Sequence, residues 1–367
     1  MENLLNEIKE QSVTVGILGL GYVGLPLAMA FSKKFTVVGY DVNRNTVDLL
    51  QSGKSHILDV PEETINNFVN NSFFPTDDPL ELKKCNIIII CVPTPLTEER
   101  IPDLSYVKSA SETVAGILNK SQFVILESTT YPGTTEEVVI PILEESGLKA
   151  GIDFGVAYSP ERIDPGNKQF TVDEVPKVVG GMNDECTEIA AALYGSIISE
   201  IVPVRDMRTA ESVKMMENIF RNVNIALVNE MALIFERMGI DTWEVVDAAA
   251  SKPYGFMPFY PGPGIGGHCI PLDPFYMSYK AKKYGFIPRF IETSGEINEF
   301  MKTHAVNLSE KIIRQADTMA HEAMVADMIL SDGCKWKAAL IWGNIFGIFG
   351  DMNCEYITPN ISQTYYE

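Results

Sequence analysis

The stretch "YPGPGIGGHCIPLDP", Tyr260 to Pro274, sets one cysteine, Cys269, in a loop built largely of glycine and proline. Gly264, Gly266 and Gly267 leave backbone amides uncovered around that thiol, and amides so placed stabilise a thiolate and a developing oxyanion. Asp273 lies four residues later. A buried cysteine is ordinarily a plain core residue. A glycine-rich turn has no packing need for one, however, and the local chemistry reads Cys269 as a reactive thiol. His268, its neighbour, points elsewhere in extended chain and reads as structural. A second pair stands upstream, where Lys214 and Asn218 are spaced i and i+4 on a helical pattern, an ammonium beside an amide on one face. The bland reading is a solvated face. Asn218, Asn222 and Asn224 nevertheless cost helix propensity for no local gain, which points to inward polar work.

A third constellation opens the chain. "VTVGILGLGYVGLPLAMAF" reads as a buried strand, a glycine turn and a helix, with Gly19, Gly21 and Gly24 forming GxGxxG and Tyr22 and Val23 between them. The first glycine permits the tight turn, the second admits a pyrophosphate against the backbone, and the third lets helix and strand pack closely. The next strand, "FTVVGYD", ends in Asp41, seventeen residues after Gly24, near the place of an acid that bonds the adenine ribose hydroxyls. A carboxylate there repels the extra phosphate of NADP, so NAD is the expected cofactor; Arg44 is the one opposing cation.

The elements that must position these groups alternate. "NIIIICVPTP", "FVILESTTYPGT", "FGVAYSPERI" and "VPKVVGG" are near-continuous apolar strands separated by helical patterns, which predicts an α/β fold with a parallel sheet covered on both faces. Ligands of such sheets lie at the carboxyl ends of the strands, where Pro93 and Thr94, Ser128 to Thr130, and Ser159 to Arg162 all fall. From Thr209 the pattern becomes one long helix stopped by Gly239, a spine for an all-helical central domain and for a homodimer. The expected organisation is a leader over 1–12, a Rossmann dinucleotide-binding domain over 13–206, a helical catalytic and dimerisation domain over 207–313, and an atypical, truncated C-terminal segment over 314–367.

Composition narrows the partners. The 367 residues are 46% hydrophobic with a net charge of -20, which argues against nucleic acid and anionic membranes as partners, since both are bound through clustered Lys and Arg. The longest apolar runs fall short of the roughly 20 residues of a membrane span. The acidic, polar N-terminus does not read as a signal peptide, so the expected compartment is the cytoplasm. Six cysteines, at 85, 91, 186, 269, 334 and 354, form no CxxC pair and the four histidines stand apart, so no metal site is expected.

Together the motifs "GLGYVGLPLA", "STTYPGT", "SPER", "VKMMENIFRNVNIALVNE" and "FMPFYPGPGIGGHCIPLDP" resemble the nucleotide-sugar dehydrogenases, the UDP-glucose and GDP-mannose dehydrogenase family, and within it the UDP-N-acetylhexosamine 6-dehydrogenases. The resemblance spans about Val13 to Glu310. It implies oxidation of a UDP-sugar 6-hydroxyl to a carboxylate with two NAD, through an aldehyde and a cysteine thioester. By the same resemblance Cys269 is the nucleophile and Lys214 and Asn218 steady the oxygen anion at C6. Thr129 and Asp273 hold the catalytic water, and Glu161 takes part in proton transfer. Glucose-specific members carry a further acid four residues after that glutamate, where this chain has Pro165, with Asp164 one place short. Phe259 and Tyr260 match the region along the substrate, with Arg162 and Gly264 beside it, and aromatic surface there suits an acetamido methyl.

The chain departs from the resemblance after about Ile313, where the family continues into a second Rossmann-like domain over the uridine diphosphate and this sequence does not match it. Two rival readings are a single-step beta-hydroxyacid dehydrogenase, which has no use for Cys269, and a non-catalytic NAD-binding remnant. The cofactor reading has its own test. Asp41→Ala should weaken NAD binding by about 1.5–3 kcal/mol, the worth of hydrogen bonds to a charged acceptor, and relax the exclusion of NADP. Calorimetry showing equal NAD and NADP affinity in the unmutated chain would sink the assignment.

Overall fold

The computed structural model describes residues 2–97, 100–162, 174–267 and 270–329. Cys269, His268, Asp164, Pro165 and the tail from 330 lie outside the described residues. The chain divides into two compact units, one of Met1–Phe220 with Leu272–Pro288, the other of Arg221–Pro271 with the chain from Arg289 onward.

In the first unit, α1 (Glu2–Lys9) precedes β1 (Thr14–Leu18), α2 (Gly24–Ser32), β2 (Thr36–Tyr40), α3 (Arg44–Gln51), α4 (Glu62–Phe68) and β3 (Phe73–Thr76). Then follow β4 (Ile87–Ile90), α5 (Ser105–Ala115), β5 (Phe123–Leu126), α6 (Ile140–Leu143), β6 (Gly155–Tyr158), β7 (Lys177–Gly181), α7 (Asp184–Tyr194) and β8 (Ile201–Pro203). The strands form one eight-stranded sheet in the order β3-β2-β1-β4-β5-β6-β7-β8. The chain order reverses between β1 and β4, as in a doubly wound fold.

Why the strands are so uniformly apolar is plain from burial. Ile87 and Ile89 join Val15, Ile17 and Val37 in one core, while Ile88 and Ile90 join Leu18 and Val38 in the other, so successive side chains of β4 feed opposite faces and none meets water. Burying each such side chain is worth about 1.5–3 kcal/mol. Leu4 and Ile8 place α1 in the first of these cores. One pairing departs from the parallel pattern, because β7 runs antiparallel to β6 with Ala157 opposite Gly181. An antiparallel neighbour needs no crossover helix, and no helical pattern lies between these two strand sequences.

The long helix, α8 (Met207–Met238), is one element of 32 residues whose start belongs to the first unit. Thereafter come α9 (Thr242–Ala250), α10 (Asp273–Lys283) and α11 (Arg289–Ile329), which runs through position 313. No helix among the described residues is long and apolar enough to cross a membrane.

Near the start of α8, Glu211 is fully buried and holds the turn after β5: Gly133 N donates to Oε2 at 2.5 Å, while Thr135 N and its hydroxyl donate to Oε1 at 2.9 and 2.7 Å. Gly133 has φ +95, a left-handed backbone that suits glycine. Burial pushes the Glu211 carboxyl from 4.5 up to about 7, against the opposing effect of those donors. The native state therefore binds more protons than the unfolded chain across that window, and Glu211's contribution to stability falls as pH rises through it. Glu211→Gln should remove this share. The stability of the variant relative to the parent should move in the variant's favour by up to about 3 kcal/mol between about pH 5 and about pH 8. Urea titrations at the two pH values read it; parallel stabilities would refute it.

Candidate active site

At the end of β1 the three glycines divide the labour their spacing predicts. Gly19 has φ +96, and a Cβ on Gly24 would lie 1.8 Å from Gly19 O, so neither tolerates a side chain. A Cβ on Gly21 would meet nothing within 4 Å, which leaves open space over the turn at the start of α2. No side chain caps α2, and the adjoining Tyr22 is exposed. This cradle fits a dinucleotide pyrophosphate.

Asp41, just past β2, accepts from Leu20 N through Oδ2 at 2.9 Å and from Asn43 N through Oδ1 at 2.8 Å. Both oxygens are held by backbone, which orients the carboxylate and leaves each a lone pair for a hydroxyl. Arg44 stands 3.7 Å from Asp77, so its charge is partly answered within the protein. The residues present therefore fit NAD, whose nicotinamide ring accepts a hydride when bound.

The neighbouring strand ends complete a rim. After β4, the Tyr276 hydroxyl of α10 donates to the Thr94 carbonyl and, at 3.2 Å, to that of Pro95. After β5, the Ser128 hydroxyl accepts from Val92 N at 2.9 Å and donates to Val92 O at 2.7 Å, tying this rim to the last; Thr129 follows it, half-buried. After β6, Glu161 Oε1 accepts from Arg162 N at 2.9 Å. Arg162 itself grips Glu217 of α8 at 2.6 Å and donates to Pro176 O, so its guanidinium links the end of β6 and the residue before β7 to the helix.

On α8, Asn218 Nδ2 donates to Asp273 Oδ2 at 2.5 Å, and both side chains are buried. The structure thus brings together two of the residues singled out in the sequence, 55 positions apart. One turn before Asn218, Lys214 is 7% exposed and its ammonium pairs with no carboxylate among the described residues.

The second unit supports the glycine loop. Asn222 donates to Ile270 O at 3.1 Å and accepts from the Ser294 hydroxyl at 2.8 Å. Asn229 donates to Asn298 Oδ1 at 2.9 Å and accepts from Gly262 N at 2.9 Å. Two amides of α8 thereby hold both flanks of the segment that carries Cys269. Asn224 is half-buried. Gly264 has φ +123, and a Cβ there would press on Asn298 O at 3.1 Å. Tyr260 donates to Asp247 at 2.7 Å, and Phe259 is half-buried.

Several residues at the site escape a reading of the sequence. Glu127, directly after β5, forms a buried ion pair with Lys177 at the start of β7, and Tyr194 of α7 donates to its Oε2 at 2.5 Å. Burial pushes Glu127 up to about 7, with Lys177 opposing and Glu161 adding to the rise. The available signal is a single charge at the end of an otherwise apolar strand sequence, "FVILE" and "PKVV". Glu211, three residues before Lys214, lies in a helical stretch with charges at Arg208, Lys214 and Glu217 and carries no such signal.

Residues 13–198 match the NAD binding domain of the UDP-glucose/GDP-mannose dehydrogenase family, and residues 208–300 match its central domain. The chain is 44% identical over 299 residues to the UDP-N-acetyl-D-glucosamine 6-dehydrogenase of Pseudomonas aeruginosa, covering 81% of this chain and 70% of that protein. Among solved structures, the UDP-D-ManNAc dehydrogenase of Pyrococcus horikoshii superposes with a TM-score of 0.78 at 37% identity, covering 83% of this chain and 72% of that one. The UDP-N-acetyl-mannosamine dehydrogenase of Staphylococcus aureus gives 0.73 at 32%, with 82% and 71% covered. An NAD cradle on a doubly wound sheet, a lysine and asparagine on a long helix, and these matches across both segments agree: the chain belongs to the UDP-glucose/GDP-mannose dehydrogenase family.

Proposed function

We propose that the chain oxidises the 6-hydroxyl of a UDP-N-acetylhexosamine to the uronic acid, a four-electron change that leaves as two hydrides to two NAD, with Cys269 carrying the carbon between them. The observation that carries this reading is Lys214, a buried ammonium with no carboxylate partner among the described residues. An uncompensated buried cation is costly, and its natural complement is an anion that arrives with the substrate or forms during reaction. The oxygen at C6 is such an anion, both when the alcohol loses its proton and when the thiolate adds to the aldehyde.

In this reading Glu161 takes the hydroxyl proton, and Lys214 with Asn218 stabilises the resulting alkoxide charge. Once the alkoxide carbon has given up its first hydride to NAD, the Cys269 thiolate, its proton taken by a carboxylate of the site, bonds to the aldehyde carbon, and the carbonyl pair moves onto oxygen to give a thiohemiacetal anion. Loss of the second hydride leaves a thioester. Water held by Asp273 and Thr129 attacks its carbon, the C–S bond breaks with the pair staying on sulfur, and the water proton passes to a carboxylate of the site. Asn218 supports the Asp273 part of this scheme through their hydrogen bond. The sugar class is supported by the acetamido-sugar names of the P. aeruginosa and P. horikoshii relatives.

We also assign the domains as a Rossmann domain to 206, a helical domain to 313 and a segment beyond. The long helix supports a homodimer, because Leu227, Ile234 and Met238 lie on one face of α8 at spacings of seven and four and are all exposed. The cytoplasm, where nucleotide sugars are made and used, is the assigned compartment.

Two NADH per sugar should form across a panel of UDP-sugars, and the preferred epimer is the one with the highest kcat/KM. Cys269→Ser should keep NAD affinity and lose sustained turnover, since serine is the poorer nucleophile and makes an ester. Mass spectrometry of a quenched reaction should find the sugar on Cys269. One NADH per sugar, or full activity in the serine variant, would overturn the thioester route.

A further inference from the structure

We propose that Glu127 is a positioning residue for Glu161: by pairing with the buried Lys177 ammonium that also faces Glu161, it sets both where that carboxylate rests and the charge it experiences. This inference rests on the reading of Glu161 as the proton-transfer group and extends it to residues behind the site.

The geometry is a chain of charges sealed beneath the rim. Lys177 Nζ pairs with Glu127 and stands 3.5 Å from Glu161 Oε2, with side-chain exposures of 5% for Lys177, none for Glu127 and 12% for Glu161. Exposure therefore rises from Glu127 toward Glu161. The Tyr194 hydroxyl binds the far oxygen of Glu127, and the Lys177 ammonium lies 5.1 Å above the Tyr194 ring. Cys91 after β4 is held protonated by burial with the Glu127 charge adding to it, and Tyr158 of β6 by burial with Glu211, Asp273 and then Glu127 adding to it. Glu127, Lys177 and Glu161 are the charged groups that these contacts join.

That count matters. Burial alone would lower the Lys177 ammonium, but Glu127 and Glu161 outweigh it and keep it charged. The Glu127 and Glu161 carboxylates share the Lys177 ammonium, and each anion raises the proton affinity of the other. A structural ion pair would need only Glu127 and Lys177. The third member, half-buried at the strand end beside Thr129, is the one with access to a substrate, so the pair behind it acts as a fixed electrostatic backing.

The charge of Glu161 can be read without turnover, from the carboxyl carbon resonances of glutamate-labelled full chain, with Glu161 assigned by its loss in Glu161→Gln. Glu127→Gln removes a neighbouring anion and leaves the ammonium, so the Glu161 midpoint should fall by about one pH unit or more. Tyr194→Phe keeps the packing and removes the donor that stabilises the Glu127 charge, so it should move the midpoint the same way by less. It also serves if Glu127→Gln fails to fold. In Glu127→Gln with Lys177→Gln the midpoint should return upward from that of the single variant. An unmoved Glu161 midpoint in folded Glu127→Gln, or in Tyr194→Phe where the former does not fold, overturns the inference. The reading of Glu161 is separate: if Glu161→Gln turns over UDP-sugar like the parent, that reading fails whatever the midpoints do.

Discussion

The row of polar side chains buried along one face of α8 is the constraint on which the rest of the arrangement hangs. Glu211, Lys214, Asn218, Asn222 and Asn229 recur at spacings of three, four, four and seven, and all are buried. The opposite spacing class, Met216, Phe220, Leu227, Ile234 and Met238, is apolar and exposed. An ordinary surface helix has the reverse pattern. Glu211, Asn218, Asn222 and Asn229 find partners on irregular segments: the turn at Gly133 and Thr135, the start of α10 at Asp273, and the loop flanks at Gly262 and Ile270. Within the first unit the helix holds the Gly133 turn and the start of α10, and within the second it holds the two loop flanks.

The parts of this that were legible in the sequence are those whose meaning is local. Gly19, Gly21, Gly24 and Asp41 lie within one strand-helix-strand unit, and the demands on each follow from a single turn. The strand ends at Pro93, Thr129 and Glu161 were legible because a doubly wound sheet puts its ligand at one edge. Asn218 and Asn222 betrayed themselves by being poor helix formers where good ones would serve. Glu127, Lys177 and Glu211 did not, because their partners lie 50 to 78 positions away and a single sequence carries no pair information. The antiparallel turn of β7 was hidden for a related reason, since strand direction is decided by the path between strands and not by the strand residues.

Burial treats the carboxylates of the first unit in two ways. Asp41 is half-buried and is oriented by two amides. Glu127 and Glu211 have lost water altogether, and desolvation is the largest influence on both. Their charge is retained or surrendered near neutrality according to what donors remain. The fold supplies the two kinds by depth: the first at the rim of β2, the second beneath the rim of β5.

The acidity of the whole chain sharpens the significance of its buried cations. With a net charge of -20, long-range attraction for a nucleotide diphosphate is unfavourable, so anion affinity must come from short-range groups. Among the described residues three lysines are buried. Lys177 is matched by Glu127 and Lys280 by both oxygens of Glu137, at 2.6 and 2.7 Å. Lys214 has no carboxylate partner among the described residues. A protein that neutralises its other two buried ammonium groups has no reason of stability to leave the third one bare. It lies on the polar face of α8, one turn from the Asn218–Asp273 pair.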